Sequence, residues 1–423
     1  MHIAQFTNTY HPVTSGVVRS VSRFRQGLTN LGHNVFVFAQ TDREYEDKEP
    51  FVFRYPALQL PLQEYPLTIP VSNFVDTLLP SLKLDVIHAH HPALLGQVAA
   101  RKAASLKVPL VFTHHTRYRE YSHYAFGLPQ GLAKQVIQRW IGDYMPQRQH
   151  VVVPSESIKQ LLAETYGATE GITAVPTGID VATYREAEAG DVRRRHGWAE
   201  DDKILISLGR LAKEKNWQTL ITAVAPIIQK LPNVRLVILG EGEERDRLQK
   251  LAKKLGVAER INLVGAVPFD DVPSYLKAAD LFCFASVTET QGLVTLEAMA
   301  AGLPVVAVAA TGTSDAISDG EEGLLTPNDS EALTQALLQV LEDEDLHRKL
   351  AEAAGQKANE FDLERQARRL VRVYEEAIEA KKSGFHVRID AQKPIFSLDW
   401  RQLLELDSAE EKSKKDATES SKK

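Results

Sequence analysis

Short apolar runs alternate with amphipathic helical stripes along most of this chain, in two successive series. In the first series, Ile3–Phe6, Val35–Phe38, Asp85–Ala89, Val108–Thr113 and Val151–Pro154 have the length and composition of buried strands. Between the first two, Val17, Val21, Phe24, Leu28 and Leu31 recur at intervals of four and three, one apolar stripe of a helix that Gly32 stops. The second series places strands at Ile204–Leu208, Val234–Leu239, Ile261–Val264, Leu281–Ala285 and Val305–Val308. Its helical patterns fall at Trp217–Gln229, Glu243–Leu255, Val272–Ala278 and Leu293–Ala301. Such alternation implies parallel sheets covered by helices through right-handed crossovers. A chain of 423 residues exceeds one ordinary core. The expected fold class is therefore α/β, two parallel-sheet units with a ligand cleft between them at the carboxyl ends of the strands.

The turn-forming residues Pro176-Thr177-Gly178 mark the expected boundary, giving units over 1–176 and 177–360. The regular pattern fails after about Ser383, and the polar, charged end from Ser408 to Lys423 reads as a disordered tail within 383–423. The single cysteine, Cys283, lies in an apolar run and reads as a buried strand thiol in a protein of a reducing compartment. No apolar stretch is long enough to span a bilayer, and the start of the chain lacks the pattern of a secretory signal, so a cytoplasmic location is expected. Residues 1–176 carry 16 Lys and Arg against 13 Asp and Glu, and the remainder 34 against 43. That asymmetry suggests different partners for the two halves but is too small to indicate nucleic acid.

The residues that carry chemistry cluster at strand ends. Glu289 and Glu297, separated by Thr290-Gln291-Gly292-Leu293-Val294-Thr295-Leu296, follow a strand and open a helix. Free N–H groups and the positive dipole end at a helix N-terminus suit a diphosphate, and Gly292 lets the backbone come close. Glu289 could then accept sugar hydroxyls and Glu297 ribose hydroxyls. Taken alone, so loose a spacing would better fit two solvated helix-end acids; the setting of strand, Gly turn and helix reverses that. Arg210 and Lys215, five apart after another strand, can reach one diphosphate, Arg210 in bidentate fashion and Lys215 as a point charge. Fixed cations there stabilise a departing nucleoside diphosphate without a metal; solvated surface charge is the alternative. In the first half, His115 ends a strand and would face the cleft, with His88, His90 and His91 nearby in sequence. No acidic partner stands at a zinc spacing, so no metal is expected. Thr14-Ser15-Gly16-Val17 opens the first helix but is only half a dinucleotide fingerprint.

Taken in order, the Gly16 loop, His115, the Arg210/Lys215 pair and the Glu289–Glu297 segment resemble the retaining glycosyltransferases of family 4 over residues 1 to about 380. The resemblance implies the GT-B fold, two Rossmann-like domains with parallel sheets facing each other across a cleft. It also implies an acceptor-binding first domain, a nucleotide-sugar-binding second domain, and a helix over 361–382 crossing back to the first. By position, Arg210 and Lys215 would bind the donor diphosphate, with Gly16, Gly292, Leu293 and Val294 lining the donor site. Glu289 would hold the transferred sugar, Glu297 the ribose, and His115 would sit at the reaction centre near the sugar's 6-hydroxyl. The first loop reads Ser15-Gly16-Val17 where many relatives have Asn-Gly-Val. Family members usually need no metal or other cofactor, the UDP-sugar being substrate. Retention in the family is ascribed to front-face attack, with the leaving phosphate taking the acceptor proton.

Three stretches look like the diacylglycerol glycosyltransferases: Thr288-Glu289-Thr290-Gln291-Gly292, Val175-Pro176-Thr177-Gly178-Ile179-Asp180, and Thr113 to Tyr124. This likeness implies a lipid acceptor at an anionic membrane surface. Between Phe126 and Arg148, Leu132, Val136, Trp140, Ile137 and Ile141 share a helical face, with Lys134, Arg139 and Arg148 beside them. A basic amphipathic helix anchored by Trp140 could lie in a membrane interface; equally, it could pack on its own domain. The expected activity is hexose transfer, glucose before galactose, from a UDP-sugar to diacylglycerol. Transfer to a glycosyl-diacylglycerol or a soluble acceptor, sugar-nucleotide epimerisation, and a non-enzymatic sugar or nucleotide binder are the competing readings. The hexose, the base and the oligomeric state stay open.

Overall fold

A computed structural model describes residues 1–42, 45–58, 67–115 and 141–388. The strands of the first half are β1 (His2–Phe6), β2 (Asn34–Gln40), β3 (Val52–Tyr55), β4 (Ala57–Leu58), β5 (Leu67–Thr68), β6 (Val86–Ala89), β7 (Leu110–Thr113), β8 (His150–Val153) and β9 (Ile172–Ala174). Seven of them form an all-parallel sheet in the order β3-β2-β1-β6-β7-β8-β9, while β4 and β5 make a small antiparallel pair. The second half contributes β10 (Lys203–Leu208), β11 (Val234–Leu239), β12 (Ile261–Gly265), β13 (Leu281–Phe284), β14 (Val305–Val308) and β15 (Gly323–Thr326). They form a second parallel sheet in the order β12-β11-β10-β13-β14-β15. The expected architecture of two Rossmann-like units is what the chain adopts. Strands β3 and β15 were not expected, because each is short and lacks an extended apolar run.

In both sheets the strand order reverses beside a central strand, β1 in the first and β10 in the second. Ligands of open parallel sheets bind outside the carboxyl ends at such reversals. The loop after β1 leads to helix α1 (Gly16–Asn30), and the loop after β10 begins Gly209-Arg210. Topology therefore directs the first-helix loop and the cation loop toward ligand-binding ends before any side chain is considered.

Helix α1 packs its Phe24 and Leu28 face under the first sheet, together with Leu370, Val373, Tyr374 and Ala377 of the final helix Leu363–Lys382. Gly27 permits this approach, since a Cβ there would lie 2.8 Å from the Ala367 Cβ. The chain crosses between the sheets twice, at 176–179 and at 361–363, and the crossings are bonded to each other. Ile179 N donates to Phe361 O and Leu363 N donates to Ile179 O, both at 2.9 Å. Gly178 is required here, because a Cβ would sit 2.6 Å from the Leu363 Cα. Cys283 is buried in β13, its thiol pushed up by burial and directed at the Ile206 carbonyl.

Candidate active site

The Glu289–Glu297 segment follows β13. Gly292 adopts φ 72° and caps the helix Leu293–Ala300, whose first backward amide bond runs from Thr295 N to Gly292 O at 2.9 Å. The amides of Leu293 and Val294 precede that bond, at the end of the helix that favours an anion. The preceding turn rests on a second glycine. A Cβ on Gly312 (φ 77°) would lie 2.6 Å from Gln291 N and 2.9 Å from Glu289 O. Thr311 Oγ1 donates to Glu289 O at 3.1 Å. Gly312 gave no signal in the sequence beyond its identity, because its constraint comes from a loop twenty residues earlier.

Glu289 and Lys215 meet directly. Lys215 Nζ lies 2.5 Å from Glu289 Oε1, and Ser286 Oγ donates to the same oxygen at 2.8 Å. Burial pushes the Glu289 carboxyl up, yet the Lys215 ammonium and these hydrogen bonds outweigh it and hold the group below the usual carboxylate range. Glu289 is therefore an anion at neutral pH. Arg210, at the start of the same loop, donates to Glu214 Oε1 at 2.6 Å, and its carbonyl accepts from Trp217 Nε1 at 2.9 Å. The loop's backbone is shaped by Gly240-Glu241-Gly242, which follows β11 and went unremarked in the sequence. A Cβ on Gly240 (φ 143°) would lie 2.0 Å from Gly209 O, and Leu211 N donates to Glu241 O at 2.8 Å. A Gly-x-Gly directly after a buried strand was the available signal.

In the first domain, Ser15 caps α1 by accepting from Val18 N. Among the described residues, a Cβ on Gly16 would meet no atom within 4 Å, which leaves space beside it for a ligand. His115 is half-buried, and its Nε2 lies 2.9 Å from His90 Nδ1, with the rings 5.1 Å apart. Burial, reinforced by His90, His91 and His114, pushes His115 well below the usual imidazole value, so it is neutral. His88 belongs to the core instead. It bonds Thr113 Oγ1 at 2.6 Å and Tyr374 OH at 2.8 Å, and burial pushes it down to about 3. Among the described residues no three His, Cys, Asp or Glu side chains are grouped to hold a metal ion.

Several contacts cross the cleft. Arg19 of α1 forms an ion pair with Glu297 Oε1. Gln291 spans the hinge, accepting from Thr177 N and donating to Thr177 O, both at 2.8 Å, and Thr177 Oγ1 bonds Ser20 of α1 at 2.6 Å. Ser155 Oγ donates to Thr290 O at 2.9 Å, and Asp315 accepts from Ser157 N at 3.1 Å. Arg19, Gln291 and Ser155 had no sequence signal for these roles, because each partner lies in the other half of the chain.

One expectation is corrected. Arg148 is fully buried, with its guanidinium against the Tyr144 ring and 5.5 Å from the Phe112 centroid. The short helical turn Met145–Gln147 turns the chain into β8 just there, so Arg148 faces the core and cannot meet a membrane. Ile141, on the same expected face, is also in the first-domain core. Lys134, Arg139 and Trp140 lie outside the described residues, as does the stretch after His115 up to Tyr124. Among the described residues, no helix is long and apolar enough to cross a membrane.

The two halves match two family models, Glycosyltransferase Family 4 over residues 14–183 and Glycosyl transferases group 1 over residues 189–357. The chain is 30% identical over 390 residues to an alpha-monoglucosyldiacylglycerol synthase of Streptococcus pneumoniae, covering 86% of each chain. It is 31% identical to the synthase of the same name from Acholeplasma laidlawii, over 82% of this chain and 89% of the other. In fold it matches Anabaena HepE, solved with UDP and glucose, with a TM-score of 0.71, 21% identity, and coverage of 89% and 99%. With its two parallel-sheet domains, its cation loop and its Glu289–Glu297 segment, the chain belongs to the family 4 glycosyltransferases of the GT-B fold.

Proposed function

We propose that this enzyme transfers glucose from UDP-glucose to the free hydroxyl of a diacylglycerol, retaining the α configuration, at an anionic membrane surface. The observation that carries the transfer is the Lys215–Glu289 pair: a cation for the departing diphosphate is bonded to the carboxylate expected to hold the sugar. Lys215 and Arg210 then stabilise charge that develops as the bond from glucose C1 to the β-phosphate oxygen breaks. The acceptor oxygen bonds to C1 from the same face, and its proton passes to the leaving phosphate. Both bonds to Glu289 fall on Oε1, which leaves Oε2 for a sugar hydroxyl. Gly16, Gly292, Leu293 and Val294 would offer backbone N–H groups to the diphosphate. Neutral His115 would donate to or accept from the sugar's 6-hydroxyl without placing a second positive charge beside C1.

The acceptor is supported by the two synthases whose names specify a monoglucosyldiacylglycerol product. An α-linked product from the α-linked donor requires retention. Contact with the bilayer is supported by an apolar margin on the first domain: Phe51, Ile69, Val71 and Phe74 are 53%, 44%, 64% and 65% exposed. Phe51 packs its edge on Phe36 and Phe74 lies against Phe53, so the exposed rings extend one aromatic cluster at the β3 side of the sheet. A patch of this kind fits an interface with acyl chains better than bulk water.

The test is incorporation of label. The enzyme is incubated with radiolabelled UDP-glucose, UDP-galactose or GDP-mannose and anionic liposomes with or without diacylglycerol. Label from UDP-glucose entering the lipid phase only when diacylglycerol is present is the expected result. Label that remains water-soluble, or that enters lipid from another donor, overturns the reading.

A further inference from the structure

The ion pair between Arg19 and Glu297 is not needed for the fold of either domain, since it joins α1 of the first to the donor helix of the second. Glu297 is 1% exposed, and among the described residues its Oε2 has no hydrogen-bond partner. A buried carboxylate oxygen left in that condition is costly unless a ligand satisfies it. Arg19 itself is held from the second domain's side: its guanidinium lies 4.4 Å over the Phe269 ring. It stands one turn along α1 from Gly16, beside which a Cβ would meet no atom of the described residues within 4 Å.

We propose that Arg19 is a positioning residue that orients Glu297 for the donor ribose, so that the ribose subsite is complete only when the two domains meet. The inference rests on the reading of Glu297 as the ribose ligand. Arg19 occupies Oε1 and neutralises the buried charge. Oε2, together with the remaining lone pair of Oε1, is left for the ribose hydroxyls. A carboxylate with a free rotamer would have to be ordered by the nucleotide; one clamped by a guanidinium is ordered in advance. Because the clamp comes from α1, the nucleoside end of the donor also reports on closure of the cleft. The adjacent Ser20 reaches the other end of the donor segment through Thr177 and Gln291.

A double-mutant cycle tests this. UDP affinity is measured by calorimetry for the full-length protein, Arg19→Ala, Arg19→Lys, Glu297→Gln and the Arg19→Ala/Glu297→Gln pair, using UDP and 2′-deoxy-UDP. Arg19→Ala should weaken UDP binding by about tenfold or more, the weight of a charge-assisted bond, and should reduce the preference for UDP over its deoxy analogue. Arg19→Lys should recover part of both, which a purely structural role would not predict. In the Glu297→Gln background, Arg19→Ala should add less than about twofold, because its route through the carboxylate is gone. Fold-losses that multiply instead would overturn the proposal, as would a lowered melting temperature with unchanged UDP affinity. If Glu297→Gln alone leaves both UDP affinity and deoxy discrimination intact, the ribose assignment itself fails, and the proposal with it.

Discussion

Replacing Lys215 by alanine separates two consequences that the geometry joins. The Lys215 and Glu289 side chains are only 20% and 14% exposed, with the charged atoms 2.5 Å apart. At an effective dielectric of about 20, their gross attraction is about 7 kcal/mol, most of it offset by desolvation of the two charges. Deleting the cation leaves a mostly buried carboxylate unpaired, and we expect a loss of about 2–3 kcal/mol, or about 4–10 °C in the melting temperature of this domain. The rate should fall further, by about 10²- to 10³-fold in kcat, because a fixed charge at the departing diphosphate is removed. The pH behaviour gives an internal check. In the intact protein the pair depresses the Glu289 carboxyl, so its contribution to stability is present above the unfolded value and is lost as pH falls through the lower folded one. Without Lys215 burial is opposed only by the Ser286 hydrogen bond, the carboxyl rises, and stability then declines as pH increases through the unfolded value. The variant should therefore be least impaired in stability at acid pH. Adding Glu289→Gln to Lys215→Ala should restore the melting temperature and not the rate. A kcat within threefold of the intact enzyme, measured by glucose label entering diacylglycerol liposomes, would refute the transition-state role of Lys215. An unmoved pH profile of stability would refute the coupling.

Three further outcomes follow from neighbouring features. Burial holds His88 at about 3 and His91 and His114 at about 4. The unfolded chain thus takes up protons first, and between pH 7 and pH 5 each of the three should remove about 2 kcal/mol of stability, read by urea titration at the two pH values. Gly240→Ala forces a Cβ to within 2.0 Å of the Gly209 carbonyl and should cost about 3 kcal/mol or more while weakening UDP binding through the displaced cation loop. Gln291→Glu keeps the acceptor for Thr177 N but sets a carboxylate oxygen against Thr177 O. It should lower stability by about 2 kcal/mol and raise the donor KM, whereas Gln291→Met should cost less, since it removes the bonds without adding a charge.

What was legible in the sequence is what is local. Apolar runs such as Val305–Val308 and the stripe from Val17 to Leu28 carry their periodicity within a few residues, and both became the expected strand and helix. The Glu289, Gly292 and Glu297 segment was legible for the same reason: strand end, positive-φ glycine and helix start are consecutive. Arg148 misled because its spacing fits an amphipathic helix, whereas a turn at Met145 rotates it toward Phe112 and Tyr144. The neutral state of His115 depends on burial, reinforced by His90 and His91, which come from the end of a different strand. The steric demand on Gly312 comes from Glu289 and Gln291, and that on Gly240 from Gly209. These are properties of neighbouring loops, and no window along the chain contains both partners.

Gln291 shows how a sequence likeness can be sound and its apparent meaning displaced. The Thr288–Gly292 stretch is part of what resembles lipid glucosyltransferases, and a polar residue so close to Glu289 invites the thought that it touches the acceptor. Both polar atoms of the Gln291 side chain are instead bonded to the Thr177 peptide at the first domain crossing. Thr177 in turn bonds Ser20 of α1, and Glu289, two residues before Gln291, holds Lys215. A glutamine at this position is therefore a length of fixed geometry between Glu289 and the hinge, and the second stretch of likeness, Val175–Asp180, forms its other end. The two stretches are one structural unit seen twice in the sequence. Together they tie the loop before the helix Leu293–Ala300 to α1 across the cleft, so that the setting of one domain against the other is fixed by Gln291, Thr177 and Ser20.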